Sequence, residues 1–252
     1  MAEYKIIQTE DGSNTVLSSE FGETYHSVKG ALSESLHVFI ETGLKYILNR
    51  CGAVPENNNT IQLCNNETIN ILEIGFGTGL NAWLTLKEAL RNKINIRYTS
   101  YEKYPIAKNM LSGFLPEKDP GFKWIHDIPW DIPCVFNNGD GINIGNNAGV
   151  FFELRKCNTD FITADFPDNE FHVIFMDAFS PEAHPEAWTE LMFNRLFKSM
   201  KPGGVLTTYC AKGYVRRNMQ NAGYIVERLP GPVNGKREIL RALNSYFPHR
   251  QP

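Results

Sequence analysis

The sequence has no long apolar run. No stretch approaches the roughly 18 apolar residues that a membrane-spanning helix needs, and residues 1–10 lack the apolar core of a secretory signal peptide. We therefore expect a protein that neither crosses a membrane nor is secreted, and we predict a cytoplasmic location.

Paired cysteines and metal-ligand spacings are also missing. The chain has no C-x-x-C pair, and its histidines show no zinc-site spacing. A disulfide framework and a bound metal are therefore not expected, and unpaired thiols fit a reducing compartment. The G-x-S-x-G motif of a serine hydrolase is absent as well. The isolated cysteines are Cys51, Cys64, Cys134, Cys157 and Cys210.

The chain has little net charge, because 25 basic and 28 acidic residues give −3. No overall field would draw it to a polyanion, so any contact with a nucleic acid must be local. On charge alone, a solvated face explains the single basic cluster more simply than a phosphate-binding surface does. That cluster comprises Lys212, Arg216, Arg217, Arg228, Lys236, Arg237 and Arg241.

What is present is an ordinary globular composition, with 42% hydrophobic and 21% charged residues in a chain of 252. This length allows one large domain, and we expect residues 1–252 to form a single one. Within 1–60, alternating residues over 4–18 predict a hairpin that turns near Asp11. Apolar residues at helical spacing then predict a helix over 33–48, capped by Ser33.

From residue 69 the pattern becomes strand, glycine turn, helix and strand. Apolar runs predict a strand over 69–74, a helix over 80–90 and a strand over 94–102, which together form a βαβ unit. A helix over 106–111 follows, then an insertion at about 116–160 with a strand over 150–154. Strands over 171–177, 205–209, 224–229 and 236–243 alternate with helices over 185–200 and 213–221. We predict an α/β fold with a mostly parallel, doubly wound Rossmann-like sheet.

Three glycines separate the strand over 69–74 from the helix that follows. They fall as G-x-G-x-G, which leaves backbone N–H groups open to a ligand, whereas a pyrophosphate loop has the spacing G-x-G-x-x-G. The acid just before them, Glu73, is unsuitable for phosphate but suits the amino and sulfonium groups of S-adenosylmethionine. The motif therefore favours a class I methyltransferase over a dehydrogenase. Candidate donor-binding residues here are Glu73, Gly75, Phe76, Gly77, Gly79 and Asn81.

Two further acids are candidates for donor binding. Glu102 ends the next strand, where a carboxylate can accept hydrogen bonds from a ribose diol. The alternative is a surface acid that pairs with Lys103. Asp165 follows the insertion and is a candidate for the adenine amino group. A turn-forming aspartate is the alternative there.

The candidate catalytic segment begins at Asp177, which ends a buried strand at the sheet edge where open α/β folds place their chemistry. Methyl transfer to an amine needs a neutral lone pair aimed at the sulfonium methyl, and Asp177 can orient and deprotonate the amine. Phe179 can form a wall beside the amine or stack on a base. A helix-capping aspartate with a core phenylalanine is the alternative.

Over nearly its whole length the sequence resembles the methyltransferase part of the bacterial MnmC-type enzymes, which complete 5-methylaminomethyl-2-thiouridine at the tRNA wobble position. The most specific shared segments lie beyond the glycine loop, which many methyltransferases possess. The shared segments are 11–13, 25–27 with Gly30-Ala31 and Glu34-Ser35, 72–81, Tyr101-Glu102, His126 with Pro129-Trp130, 177–181 with Pro185 and Trp188, 201–204, 213–217, 222–224 and 235–238.

The resemblance implies S-adenosylmethionine-dependent N-methylation of 5-aminomethyl-(2-thio)uridine in tRNA. It places Asp177 and Phe179 beside the aminomethyl group and the donor on the glycine loop, Glu102 and Asp165. A departure concerns Asp165, which follows Ala164 where the family has glycine. The resemblance also implies that four residues of the basic cluster, Arg216, Arg217, Lys236 and Arg237, are phosphate contacts. The expected substrate-binding residues are Pro181, Arg216, Arg217, Lys236 and Arg237.

Longer members of that family have a second, FAD-dependent oxidase domain. This chain ends before such a domain would fit, so we expect the stand-alone methylating form, without FAD and without an obligate protein partner. Two alternatives keep the same fold: a methyltransferase for a small free amine, and a cofactor-binding module without turnover. Neutralising Arg216 and Arg217 discriminates between the two enzymes, because only a tRNA enzyme should be impaired.

Overall fold

The structure is a computed structural model that describes residues 4–19, 21–52, 68–111, 114, 118–136 and 150–244. Cys64 and positions 137–149 of the predicted insertion lie outside these ranges. Among the described residues, no helix combines the length and apolar character needed to cross a membrane.

The N-terminal residues form a small antiparallel sheet and a long helical run, as predicted. The sheet contains β1 (Tyr4–Gln8), β2 (Asn14–Ser18) and the short β3 (Glu23–Thr24). The helical run consists of α1 (Ala31–Ser35), a π-helical segment (Leu36–Leu44) and α2 (Lys45–Gly52).

The predicted cap of this helix is wrong. Ser33 lies inside the first turn, and the turn of the N-terminal hairpin supplies the cap instead. The Asp11 carboxylate accepts hydrogen bonds from the Ser33 backbone N–H at 3.0 Å and from the Ser33 hydroxyl at 2.9 Å. The Ser13 hydroxyl oxygen accepts a third, from the Leu32 N–H at 3.1 Å. Local pattern cannot reveal this cap, because it comes from 22 residues earlier in the chain.

An eight-stranded sheet forms the centre of the protein. Its strands are β4 (Ile69–Ile74), β5 (Ile96–Tyr101), β6 (Cys134–Val135), β7 (Phe152–Cys157), β8 (Phe171–Met176), β9 (Met200–Thr208), β10 (Ile225–Pro230) and β11 (Glu238–Leu243). They lie in the order β10-β11-β9-β8-β4-β5-β7-β6. The five strands from β9 to β7 in this order are parallel, and the outer three pair antiparallel. This confirms the mostly parallel Rossmann-like sheet.

Both faces of the sheet are covered. Successive residues of β4 point to opposite sides, so Ile71 packs with the π-helical segment and with α3 (Leu80–Asn92), whereas Leu72 packs with α5 (Glu190–Ser199) and α6 (Gly213–Asn221). All six residues of β4 and of β8 are buried, which is typical of parallel strands between two helical layers. The short α4 (Pro120–Asp127) packs beside α3.

The strand order places a crevice at the carboxyl ends of β4 and β8. From β4 the chain proceeds outward to β5 and β7, and it then returns to the other side of β4 as β8 and β9. At such a reversal the loops after the two central strands diverge and leave room for a ligand. The glycine loop follows β4 and Asp177 follows β8, so both lie at this crevice.

Several predicted boundaries differ from the structure. The strand expected over 150–154 occupies Phe152–Cys157, and the helix expected over 106–111 is only a 3₁₀ turn, Lys108–Leu111. The helix expected over 185–200 is interrupted, because the Thr189 side chain caps a new helix by accepting from the Met192 N–H at 3.2 Å. The turn expected over 201–204 lies within β9, where a register shift accommodates it.

Replacing Asp11 with alanine should destabilise the protein by about 1 kcal/mol, the usual cost of losing a helix cap. Partial burial acts to raise the pKa of Asp11, but hydrogen bonds from Ser13, Thr9 and Ser33 hold it well below its ordinary value. The stabilisation is therefore complete above the unfolded-state pKa near 4 and is lost as the pH falls. Urea unfolding of the wild type and the variant at pH 7 and pH 3 measures both the cost of the substitution and the loss of the Asp11 contribution at low pH. Glu10→Ala is the control, because Glu10 makes only an exposed ion pair.

Candidate active site

The first glycine of the loop brings the ends of β4 and β8 together. Gly75 has φ +92°, and a Cβ built on it would lie 2.6 Å from the Asp177 carbonyl oxygen. The Asp177 N–H donates to the Ile74 carbonyl at 3.0 Å and continues the pairing of the two strands. Any side chain at position 75 would force these strand ends apart, so glycine is required by both its φ angle and its neighbours.

The other two glycines allow aromatic and imidazole side chains to pack against the loop. A Cβ on Gly77 would meet the Tyr25 ring at 2.9 Å, and a Cβ on Gly79 would meet Phe76 at 2.9 Å and His126 at 3.1 Å. Two side chains also hold the loop through Thr78. The ring of His26 lies 2.7 Å from the Thr78 hydroxyl, and His126 donates to the Thr78 carbonyl at 3.1 Å.

A buried amide joins two carboxyl groups beneath this loop. The Nδ2 of Asn81 donates to Glu73 Oε1 at 3.1 Å and to Asp177 Oδ2 at 2.8 Å. The other oxygen of Glu73 accepts from the Ser100 hydroxyl at 2.6 Å. Glu73 is fully buried and is not in the cavity wall, so it acts on the site through Asn81 rather than by direct contact.

Burial changes the protonation of both acids. It raises the pKa of Glu73 to about 8, although the hydrogen bonds from Ser100 and Asn81 act in the opposite direction. Burial, followed by the charges of Glu73 and Glu34, raises the pKa of Asp177 well above its ordinary value. A cation bound near these groups would favour their charged forms, so the site suits a positively charged ligand.

Glu102 faces the loop, and the Lys103 alternative is wrong. Its carboxylate accepts from the Gly77 N–H at 3.0 Å and from the Tyr104 N–H at 2.8 Å, while Lys103 pairs with Asp160 at 2.8 Å. Burial raises the pKa of Glu102. Each carboxylate oxygen has a second lone pair, and Glu102 lines the cavity, so it can also accept from a ribose hydroxyl.

The structure does not bring Asp165 into this group. Its side chain is exposed, and Asp165 is not part of the cavity wall. The neighbour of Glu102 at the sheet edge is Asn158, which follows β7 directly and donates to the Glu102 carbonyl at 3.1 Å. Asn158 is also exposed and is not in the cavity wall, so it positions the end of β5 rather than lining the site.

A cavity of about 410 Å³ opens beside the loop, and the N-terminal sheet forms one of its walls. Phe179 stacks on Phe21 with ring centroids 4.2 Å apart, and Tyr25 packs against it at 4.9 Å. The Ser180 N–H donates to Glu23 at 3.2 Å and attaches β3 to the catalytic segment. None of Phe21, Glu23 and Tyr25 was assigned to the site from sequence, because no motif indicates that the hairpin folds over the sheet edge.

The predicted substrate-binding residues differ in their exposure and in their relation to the cavity. Arg217 and Arg237 are exposed, and Arg216 is half-buried. Pro181 is buried and is not in the cavity wall. Lys236 does line the cavity, where its ammonium lies 3.3 Å from a carboxylate oxygen of Glu34.

The site fits S-adenosylmethionine. Ligand cavities commonly measure 300–1,000 Å³, and this one combines Glu102 and Asp177 with aromatic walls. The side-chain oxygen of Asn81 is buried without a hydrogen-bond partner in the described part of the chain, but Asn81, like Gly79, is not in the cavity wall. Glu102 and the glycine loop would hold the ribose and the amino-acid part of the donor.

Comparisons with known proteins show similarity to methyltransferases over part of the chain and to related folds over almost all of it. A family described as S-adenosyl-L-methionine-dependent methyltransferase matches residues 152–245. The chain superimposes on MnmC2 from Aquifex aeolicus with a TM-score of 0.72 and 23% identity, covering 98% of this chain and 72% of that one. The chain superimposes on spermidine synthase from Thermotoga maritima with a TM-score of 0.54 and 12% identity, covering 97% of this chain and 69% of that one. At these identities the two structures show the fold alone. That fold is Rossmann-like, and the family match over residues 152–245 relates it to S-adenosylmethionine-dependent methyltransferases.

Curated relatives with similar sequences share one name, MnmC. The tRNA 5-methylaminomethyl-2-thiouridine biosynthesis bifunctional protein MnmC of Ectopseudomonas mendocina is 29% identical over 237 residues, which are 89% of this chain and 32% of that protein. The protein of the same name from Leptospira borgpetersenii is 29% identical over 242 residues, which are 93% of this chain and 34% of that protein. The predicted resemblance to MnmC-type proteins is confirmed. The chain spans about a third of the length of these relatives.

Replacing Gly75 with alanine should abolish binding of S-adenosylhomocysteine, because the new Cβ would push the Asp177 carbonyl away and deform the loop. Isothermal titration calorimetry measures this loss. Gly12→Ala is the matched control, since Gly12 has φ +80° with nothing within 4 Å and tests backbone strain without a clash. Binding by Gly75→Ala equal to that of Gly12→Ala would contradict the role assigned to the strand contact.

Proposed function

We propose that the protein transfers a methyl group from S-adenosylmethionine to the aminomethyl group of 5-aminomethyl-(2-thio)uridine at the tRNA wobble position, giving the 5-methylaminomethyl product. The observation that carries this proposal is the position of Asp177. It lies beside the glycine loop, hydrogen-bonded through Asn81 to Glu73, and it lines the same cavity as Phe179.

The proposed reaction begins with an ammonium group on the acceptor. A free alkylamine is largely protonated at pH 7, and its nitrogen cannot attack until it loses a proton. Asp177 accepts that proton, and its raised pKa brings the two groups closer in basicity than an ordinary carboxylate would allow. The nitrogen lone pair then forms a bond to the methyl carbon as the carbon–sulfur bond breaks, and the bonding electrons neutralise the sulfonium.

The residues around Asp177 support an amine acceptor. Asn81 fixes the orientation of one carboxylate oxygen, and the Phe179 ring, stacked on Phe21, forms an apolar wall beside it. A wall of this kind excludes water from the reacting nitrogen and presents a π face to a cation. Phe179 and Asp177 are therefore the proposed catalytic residues.

The names of the sequence relatives support tRNA as the acceptor molecule. The MnmC proteins described above are named for tRNA 5-methylaminomethyl-2-thiouridine biosynthesis, and this favours tRNA over a free small amine. The exposed Arg217 and Arg237, with half-buried Arg216, supply positive charge for phosphate contacts.

Asp177→Asn should lower the methylation rate of aminomethyluridine tRNA by at least about 100-fold, because amide nitrogen and oxygen cannot accept the proton at neutral pH. Nucleoside mass spectrometry of the product measures the rate. Binding of S-adenosylhomocysteine should persist, since asparagine can still accept a hydrogen bond from Asn81. Asp168→Asn is the control because Asp168 is an exposed aspartate. Methylation by Asp177→Asn at the wild-type rate would refute the proposed role.

Arg217→Ala should weaken tRNA binding and reduce the dependence of log Kd on log salt by about 0.7–0.9 units, the contribution of one lost phosphate contact. Fluorescence anisotropy between 50 and 200 mM salt is the measurement. Arg91→Ala is the matched control, because Arg91 is also a largely exposed arginine but lies on α3. An unchanged salt slope in Arg217→Ala would remove this residue from the tRNA-binding surface.

A further inference from the structure

An ammonium group already occupies one corner of the cavity. The Nζ atom of Lys236 lies 3.5 Å from the centre of the Tyr209 ring and 3.3 Å from Glu34 Oε1. This combination of an aromatic face with a carboxylate is a common way for a protein to bind an alkylammonium ion. The ammonium here belongs to the protein itself.

The two groups that hold this ammonium are fixed in place. The Glu34 side chain is 9% exposed, and its second oxygen accepts from the Ser27 N–H at 3.0 Å. The Tyr209 hydroxyl donates to the Ala178 carbonyl at 2.8 Å, which attaches the ring to the segment next to Asp177. Both residues line the same cavity as Asp177. The site is therefore preformed.

Lys236 itself is held less firmly. It lies in the connection between β10 and β11, and its side chain is 42% exposed. A flexible lysine at the cavity mouth can leave the Tyr209 ring at little cost, whereas Glu34 cannot leave without losing its hydrogen bond to Ser27. The acceptor of the proposed reaction carries the same chemical group, a primary ammonium on a short alkyl stem.

We propose that Glu34 and Tyr209 form the binding site for the acceptor's ammonium group, and that Lys236 occupies this site until the acceptor displaces it. The inference rests on the proposed function and adds residues to which the sequence assigned no role. Glu34 holds the incoming cation beside Asp177, which then removes its proton. Lys236 consequently acts as an internal competitor rather than as a phosphate contact.

Two anticodon stem-loop RNAs test the proposal. One has 5-aminomethyluridine at the wobble position and the other has the neutral, nearly isosteric 5-hydroxymethyluridine. Their dissociation constants are measured by fluorescence anisotropy with saturating S-adenosylhomocysteine, so that no methyl transfer occurs. The ratio of the two constants isolates the contribution of the ammonium group from that of the phosphates.

We expect the wild-type protein to prefer the aminomethyl RNA by about 10-fold, as a desolvated carboxylate with an aromatic face allows. Glu34→Gln should reduce the preference to about twofold or less. Lys236→Met removes the competing ammonium, so the preference for the aminomethyl RNA should increase several-fold. The salt dependence of RNA binding should stay unchanged. Tyr209→Leu should reduce the preference, whereas Tyr209→Phe, which keeps the ring, should preserve it and shows that the fold tolerates substitution there.

Glu182→Gln and Lys212→Met provide the matched control, because they remove a second, exposed ion pair that also joins a residue near Asp177 to the basic cluster. Neither should change the ratio. The proposal is overturned if Glu34→Gln keeps the wild-type preference. It is also overturned if Lys236→Met weakens the binding of both RNAs equally and lowers the salt dependence of that binding, because a phosphate contact would behave in this way. If the wild-type protein methylates the aminomethyl RNA in either case, the proposed function survives.

Discussion

The contact between Gly75 and the Asp177 carbonyl is the constraint on which the site depends. It is possible only because position 75 has no side chain, and it holds the carboxyl ends of the two central strands at hydrogen-bonding distance. From that contact the glycine loop turns towards Glu102, and Asp177 turns towards Asn81. The donor loop and the proposed catalytic acid are thus parts of one rigid unit rather than two independently placed elements.

Electrostatics reinforces this geometry. Three acids, Glu73, Glu102 and Asp177, are brought to one sheet edge, and burial raises the pKa of each. Such a cluster is unfavourable unless protons or cations balance it. The substrates of the proposed reaction bring three positive centres: the sulfonium and the ammonium of the donor, and the ammonium of the acceptor. The unfavourable charge cluster and the ligands therefore complement each other.

The sequence predicts those parts of the fold that depend on local pattern. The strand of residues 69–74, the helix of residues 213–221 and the glycine loop follow from hydrophobic periodicity and from glycine spacing, which are properties of neighbouring residues. The cap of α1 and the aromatic wall around Phe179 could not be predicted in this way, because Asp11, Phe21 and Tyr25 reach them from distant positions.

The amide bridge between Asn81 and Asp177 joins residues 96 positions apart in the chain. The parallel pairing of β4 with β8 spans a similar distance, so the intervening segment must be closed into a loop before the bridge can form. Pairings of high sequence separation lower folding rates, because the entropy of loop closure opposes them until late contacts compensate. The proposed catalytic residue Asp177 therefore lies at a junction that requires closure of a long loop. A nascent chain cannot assemble this junction until residue 177 has left the ribosome.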